Sequence, residues 1–205
     1  MRPDERLELR IHGRGGQGAV LASLILADAA HREGYHVQVF PEFGVERRGA
    51  PVAAFARLGR SPIRDRTKVY TPHHVMVLDA ALVRSVDVTA GLQPNGWILL
   101  NHAGRDAGQD GSPLPEGPWR VATVDATSIA AEHGIGTSTA PIVNTTMAGA
   151  FARVTALVSI DAICDAIRER IGAKAESNIA GARAAFDAVS VRPAPTDAAL
   201  QAMYR

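Results

Sequence analysis

From Leu7 the chain alternates apolar and polar positions, Leu7, Leu9 and Ile11 against Glu8, Arg10 and His12. A period of two predicts a short strand. The pattern breaks at Gly13-Arg14-Gly15-Gly16-Gln17-Gly18. It resumes at helical spacing through Val20, Leu21, Leu24, Ile25 and Ala29, with Gly34 as the stop. His36 to Phe40 predicts a second strand, ended by Pro41, and completes a strand–helix–strand unit expected to cross over right-handed. Pro41 to Pro51 is rich in turn residues and charge, so a loop is expected. Val52 to Leu58 alternates loosely and predicts a strand, placed at a sheet edge.

Val75 to Asp79 and Trp97 to Leu100 are almost wholly apolar, the pattern of strands buried on both faces of a parallel sheet. Val121 to Asp125 reads as a further strand. Short helices are expected from Leu82 to Val86, up to Leu92, and from Thr127 to His133. Ala103 to Pro118 has no periodicity and predicts a surface loop. Thr139 is expected to cap a helix with Pro141 in its first turn, carrying a stripe of Val143, Met147, Ala150, Phe151, Val154 and Leu157. Ser159 caps a second, with Ile160, Ile163, Cys164, Ile167 and Ile171, and a third covers Lys174 to Val189. Strands alternating with helices predict an α/β fold, a three-layer Rossmann-like arrangement with a mainly parallel sheet and a helical C-terminal portion. One domain is expected over residues 1–205: an α/β core at 1–140, helices packed on it at 141–190, and a tail at 191–205.

Composition narrows the function classes. Apolar residues make up 46% of the chain and charged residues 21%, and the net charge is +1, which gives no global case for nucleic-acid or membrane binding. A single cysteine, Cys164, cannot supply a disulfide or a four-cysteine iron–sulfur site. No signal sequence or membrane span is visible, so a cytoplasmic location is expected.

The glycine run between a strand and a helix is the order a dinucleotide-type phosphate loop requires, because glycine permits positive φ and close approach of a ligand. The following helix directs free N–H groups and the positive end of its dipole at an anion. Such folds bind ligands at the carboxyl ends of the strands, which here gathers the glycine loop, the Pro41 to Pro51 loop, Asp79 and Asn101. An NAD(P) site would further need an acid ending the second strand, where Glu42 is displaced beyond Phe40-Pro41. Adjacent His73 and His74 point opposite ways on an extended chain, and no zinc or iron spacing is present. No nucleophile elbow occurs. Cys164 lies on an apolar helix face, where a buried thiol is inert packing. The scarcity of catalytic groups points to a subunit that serves chemistry located elsewhere. Glu46, Arg47 and Arg48 stand beside the expected cradle, as ligands for phosphate or as a surface ion pair. The basic run Arg57, Arg60, Arg64, Arg66 and Lys68 is either a solvated loop or a partner- or phosphate-facing patch.

Gly13 to Gly18, Pro41-Glu42-Phe43-Gly44-Val45-Glu46-Arg47-Arg48-Gly49-Ala50-Pro51-Val52 and Pro62-Ile63 resemble the gamma subunit of 2-oxoacid:acceptor oxidoreductases. Asn144-Thr145-Thr146-Met147-Ala148-Gly149-Ala150-Phe151 and Lys174-Ala175-Glu176-Ser177-Asn178 resemble the helical C-terminal motifs of that family, and the likeness runs from about Leu7 to Val189. The resemblance implies a non-catalytic subunit that helps bind coenzyme A and assemble a complex. Its alpha, beta and ferredoxin-like delta partners would hold thiamine diphosphate and iron–sulfur clusters and decarboxylate a 2-oxoacid. Carried onto this sequence, Gly13, Arg14, Gly15, Gly16, Gln17 and Gly18 would approach the pyrophosphate, with Arg14 and Arg47 or Arg48 as charge partners. The alternatives are a free-standing NAD(P)-dependent oxidoreductase and a purely structural subunit whose loop packs on a neighbour.

Overall fold

The computed structural model describes residues 6–42, 49–104, 114–137 and 139–192. The opening alternation forms β1 (Arg6–Arg14), followed by α1 (Ala19–Arg32), β2 (His36–Glu42) and β3 (Pro51–Gly59). The apolar segments form β4 (His74–Val77), β5 (Trp97–Asn101) and β6 (Arg120–Val124), followed by α2 (Ala126–Glu132). A two-stranded ribbon, β7 (Gly136–Thr137) and β8 (Ala140–Pro141), precedes α3 (Asn144–Thr155), α4 (Ile160–Ile171), α5 (Ala175–Ala188) and β9 (Ser190–Val191).

The main sheet has the order β2-β3-β1-β4-β5-β6-β9. Its centre, β1-β4-β5-β6, is parallel, while β3 runs antiparallel to both β1 and β2, and β9 antiparallel to β6. Two sequence expectations are corrected here. β3 is not an edge strand: it lies between β2 and β1, paired along its whole length. The β1–α1–β2 unit therefore does not bring its two strands together. Both strands run antiparallel to β3, which makes them parallel to each other and two places apart. The loop expected at residues 41–51 is also shorter, because Pro41 and Glu42 continue β2 opposite Ala54 and Ala53.

The helices contribute to one apolar cluster on one face of the sheet, where Leu9, Ile11, Ile25, Met76 and Leu99 meet Met147, Phe151, Ile163 and Ile167. The opposite face is covered by a 3-10 turn at Ala80–Arg84 and irregular chain, packing Leu82, Val88, Leu92 and Leu114 on Val75, Val77, Ile98 and Val121. The third layer is thus built mostly of turns. The helix expected at Leu82 to Val86 is that 3-10 turn, capped by Asp79, whose side chain accepts from Ala81 N. Thr139 does not cap the first C-terminal helix, and Pro141 is not in its first turn. Both lie at the ribbon, and α3 starts at Asn144. Ser159 does cap α4, accepting from Ala162 N at 3.1 Å. Val191, assigned to the tail from sequence, pairs with Ala122 at the sheet edge.

The basic run is divided by the fold. Arg57 is 1% exposed on β3, with Nε 2.7 Å from Glu8 Oε1, Nη1 bonded to Gln38 and Nη2 to the Thr67 carbonyl. It is a core residue, neither a solvated charge nor a ligand-facing one. Arg60 stacks on the Tyr35 ring at 3.8 Å, and Lys68 pairs with Glu42. Arg64 and Arg66 remain exposed.

Candidate functional site

The carboxyl ends of β1, β4 and β5 converge on the glycine loop. Gly16 and Gly18 take φ of 96° and 79°, the left-handed region that only glycine occupies without strain. Gln17 closes the turn by accepting from Arg14 N at 2.7 Å, and Gly15 N donates to Ala50 O at 2.9 Å, fastening the loop to the chain that enters β3. Gly18 caps α1 without any side-chain hydrogen bond, and the first turn carries no acidic residue. The positive end of this helix is therefore left for another anion to meet.

Arg14 leaves the loop sideways. Its Nε donates to Asp79 Oδ2 at 2.6 Å and Nη1 to Gly49 O at 3.2 Å. Asp79 and Asn101, both placed at the ligand edge from sequence, are present there. Asn101 Nδ2 donates to Leu78 O and Thr127 Oγ1, each at 2.9 Å, and its Oδ1 accepts from Thr127 N. Glu46, Arg47 and Arg48 lie outside the described residues, so of the proposed site only Gly13 to Gly18 has a described geometry.

Two clefts flank the loop. A smaller one of about 260 Å³ lies toward β2 and β3, lined by Arg14, Gly15, Gly16, Gly18, Glu42 and Val52 among others. A larger one of about 750 Å³ lies toward β4, β5, α2 and the ribbon, lined by Gly16, Gln17, Asp79, Asn101, His102 and Thr127 with apolar Leu78, Ile142 and Val143. Its volume is that of a site for a cofactor-sized ligand. His102 was missed from sequence because it falls at the start of a stretch without periodicity. Its relevance depends on which strand end it sits on, which no local pattern carries.

Glu42 does not take the position an NAD(P) acid requires. With β3 between β2 and β1, it faces the loop only across the smaller cleft that both line, and its carboxylate meets Lys68. Other candidates are absorbed into the frame. His73 Nδ1 accepts from Glu8 N and His74 Nδ1 from Trp97 N. Cys164 is buried, and burial pushes its thiol pKa up. His12 is buried on β1, and burial, helped by Arg10, pushes it down to about 4. Among the described residues no group of three or more His, Cys, Asp or Glu side chains could hold a metal ion, and no helix is long and apolar enough to cross a membrane.

The two C-terminal motifs meet in space. Thr145 Oγ1 donates to Asn178 Oδ1 at 2.8 Å, and Asn178 Nδ2 donates to Lys174 O at 2.8 Å. This buried polar pair links α3 to α5 behind the glycine loop.

Comparison with known proteins gives a consistent result. Residues 8–188 match the family described as pyruvate ferredoxin/flavodoxin oxidoreductase. The chain is 50% identical over 184 residues to a pyruvate synthase subunit PorC of Methanothermobacter thermautotrophicus, covering 89% of this chain and 96% of that one. It is 47% identical over 186 residues to the pyruvate/ketoisovalerate oxidoreductases common subunit gamma of Pyrococcus abyssi, covering 90% and 98%. The crystal structure of the pyruvate oxidoreductase subunit PORC of Thermotoga maritima superimposes with a TM-score of 0.75 at 33% identity, over 91% of this chain and 98% of that one. A 2-oxoglutarate:ferredoxin oxidoreductase from Magnetococcus marinus, solved with 2-oxoglutarate, coenzyme A and succinyl-CoA, shares the fold at 19% identity and a TM-score of 0.66. It covers 89% of this chain and 30% of that one. The match over residues 8–188 and the two well-covered relatives at 50% and 47% identity place this chain in the pyruvate ferredoxin/flavodoxin oxidoreductase family, among the gamma-type subunits of 2-oxoacid oxidoreductase complexes.

Proposed function

We propose that this chain supplies coenzyme A binding and subunit assembly, without catalytic groups of its own, to a complex that oxidatively decarboxylates a 2-oxoacid to acyl-CoA. Thiamine diphosphate and iron–sulfur clusters belong in this reading to alpha, beta and ferredoxin-like delta partners. The observation that carries it is the uncapped start of α1 behind a glycine turn, open between two clefts at the carboxyl edge of the sheet. A Cβ added at Gly16 would project into open space, so ligand atoms can reach the main chain there. The residues fit a pyrophosphate.

Gly13, Gly15, Gly16 and Gly18 shape the cradle, Gln17 holds it closed, and Arg14, braced by Asp79, sets a positive charge at its rim. Glu46, Arg47 and Arg48 lie in sequence between Glu42, which lines the smaller cleft, and Gly49, whose N donates to Gly15 O, and are assigned to the same site, the arginines as phosphate ligands. Bound coenzyme A supplies the thiol that receives the acyl group. Toward the coenzyme, this chain's part is to bind and orient it.

The test uses the complex purified through a tag on this chain, with its accompanying subunits. Replacing Arg47 and Arg48 together with alanine should raise the KM for coenzyme A about 10-fold or more, because charge-assisted hydrogen bonds contribute ~1.5–3 kcal/mol each. Gly16→Val should raise it as well, by filling the approach to the loop. An intact complex with an unchanged KM in both variants would overturn the assignment.

A further inference from the structure

We infer that the chain between β3 and β4 is a docking surface for a carboxylate-rich face of another subunit of the complex, with Arg64 and Arg66 as its charged contacts and Tyr70 as its aromatic anchor. This rests on the assembly half of the reading above and is independent of how coenzyme A binds.

Residues 60–70 hold Arg60, Arg64, Arg66 and Lys68 against one acid, Asp65, a net charge of +3 in a chain whose net charge is +1. The fold engages part of that charge. Arg60 stacks on Tyr35, and Lys68 meets Glu42. Asp65 is taken up by Arg6 Nη1 at 3.2 Å and by Thr67 N and Oγ1, each at 2.8 Å, so it does not neutralise the arginines on either side of it. Arg64 and Arg66 are exposed and make no hydrogen bond or ion pair among the described residues. Neither lines the clefts beside the glycine loop, so their charge is available to something other than the ligand of those clefts.

The segment has neither helix nor strand, yet its backbone is held from beneath. Buried Arg57 donates through Nη2 to Thr67 O at 2.6 Å, and Gln38 Nε2 donates to Asp65 O at 2.8 Å. Val69 is buried, and the chain at Tyr70 lies on the turn at Gly91, where a Cβ would stand 2.1 Å from Tyr70 O. Tyr70 itself is 70% exposed. A backbone fixed in advance lowers the ordering cost of binding, and Arg and Tyr are the residue types that anchor protein interfaces.

Charge selects the occupant. A second copy of this chain would set Arg64 and Arg66 against the same two arginines across a two-fold axis, like charge against like. A nucleic acid needs a broader basic field than a chain of net charge +1 offers. The Cα atoms of Arg64 and Arg66 are at most about 7 Å apart, so both guanidinium groups reach carboxylates on one element of a partner protein.

The test uses the complex purified through a tag on this chain. Arg64→Glu with Arg66→Glu should reduce the yield of one accompanying subunit about 10-fold at about 0.15 M salt, while Arg64→Lys with Arg66→Lys should retain it. The lysine variant then identifies the contact. A water-soluble carbodiimide activates a carboxylate, the lysine amine attacks it to form an amide, and the urea leaves; peptide mass spectrometry locates both ends. The expected crosslink joins position 64 or 66 to an Asp or Glu of another subunit of the complex. Tyr70→Ala should weaken retention of the same subunit with less dependence on salt, and it covers a Glu variant that does not fold. A crosslink to a second copy of this chain, no crosslink at all, or nucleic acid lost in place of a subunit would overturn the inference. So would wild-type proportions of every subunit in both the Glu and the Tyr70→Ala variants. A wild-type chain that brings no subunits with it would instead remove the assembly reading itself.

Discussion

A Cβ built on Gly18 would stand 2.3 Å from the side-chain nitrogen of Asn144, so the turn into α1 is seated directly on the first residue of α3. The glycine loop and the first C-terminal motif are thus one packing unit, although 126 positions separate them. Gly18→Ala carries two penalties, a left-handed φ of 79° and this collision. Gly16→Ala carries only the first, since its Cβ would meet nothing within 4 Å. Denaturant titration should show Gly16→Ala destabilised by about 1–2 kcal/mol and Gly18→Ala by more. Equal losses would mean that Asn144 moves aside at no cost.

The second motif answers the first through Thr145 and Asn178. Thr145→Val keeps the volume but leaves the buried Asn178 Oδ1 without its donor, so a loss of about 1–3 kcal/mol is expected. A double variant with Asn178→Leu should recover part of it, because removing both polar partners costs less than orphaning one. Thermal or urea unfolding of the pair of variants measures this directly.

Arg57 is the most consequential buried charge. Its guanidinium joins Glu8 on β1, Gln38 on β2 and the Thr67 carbonyl, and its Cζ lies 5.0 Å from the Phe40 ring centroid. Arg57→Met would strand the Glu8 carboxylate, itself largely buried. The expected destabilisation is about 3–5 kcal/mol, with Glu8→Gln in the same chain restoring part of it. A loss below about 1 kcal/mol would show that this corner repacks freely.

Acid should weaken the fold through two histidines. Burial, the larger cause in each case, pushes His12 and His74 from the ordinary 6.5 down to about 4. The folded state therefore resists protons that the unfolded chain accepts. Stability is fully present above about pH 6.5 and declines as pH falls toward 4, by roughly 1.4 kcal/mol per pH unit for each histidine. Unfolding midpoints at pH 7.5 and 5 should differ accordingly, and His74→Gln should reduce the slope. His74 accepts from Trp97 N through Nδ1, so its protonation would also break a hydrogen bond.

Period and punctuation along the chain foretold much of the molecule. Strand alternation in β1, the apolar runs of β4 and β5, the glycine turn, the Ser159 cap and the stripes of α3 and α4 are local properties, dictated by side chains within a few residues of one another. The α/β class followed from their order. What no local pattern could carry was the pairing partner of each element. β3 enters between β2 and β1 because its hydrogen bonds and buried face are matched by strands on both sides, a choice made by long-range register. The same insertion buries Arg57 and sets Glu42 across the smaller cleft from the loop. Thr139 and Pro141 read as a helix entry until tertiary pairing claimed them for the ribbon, where Pro141 lies opposite Gly136. The glycine cradle was legible because a single turn builds it. The cleft beside it was not: Leu78, His102, Thr127 and Ile142 become neighbours only when four separate elements end at the same edge of the sheet.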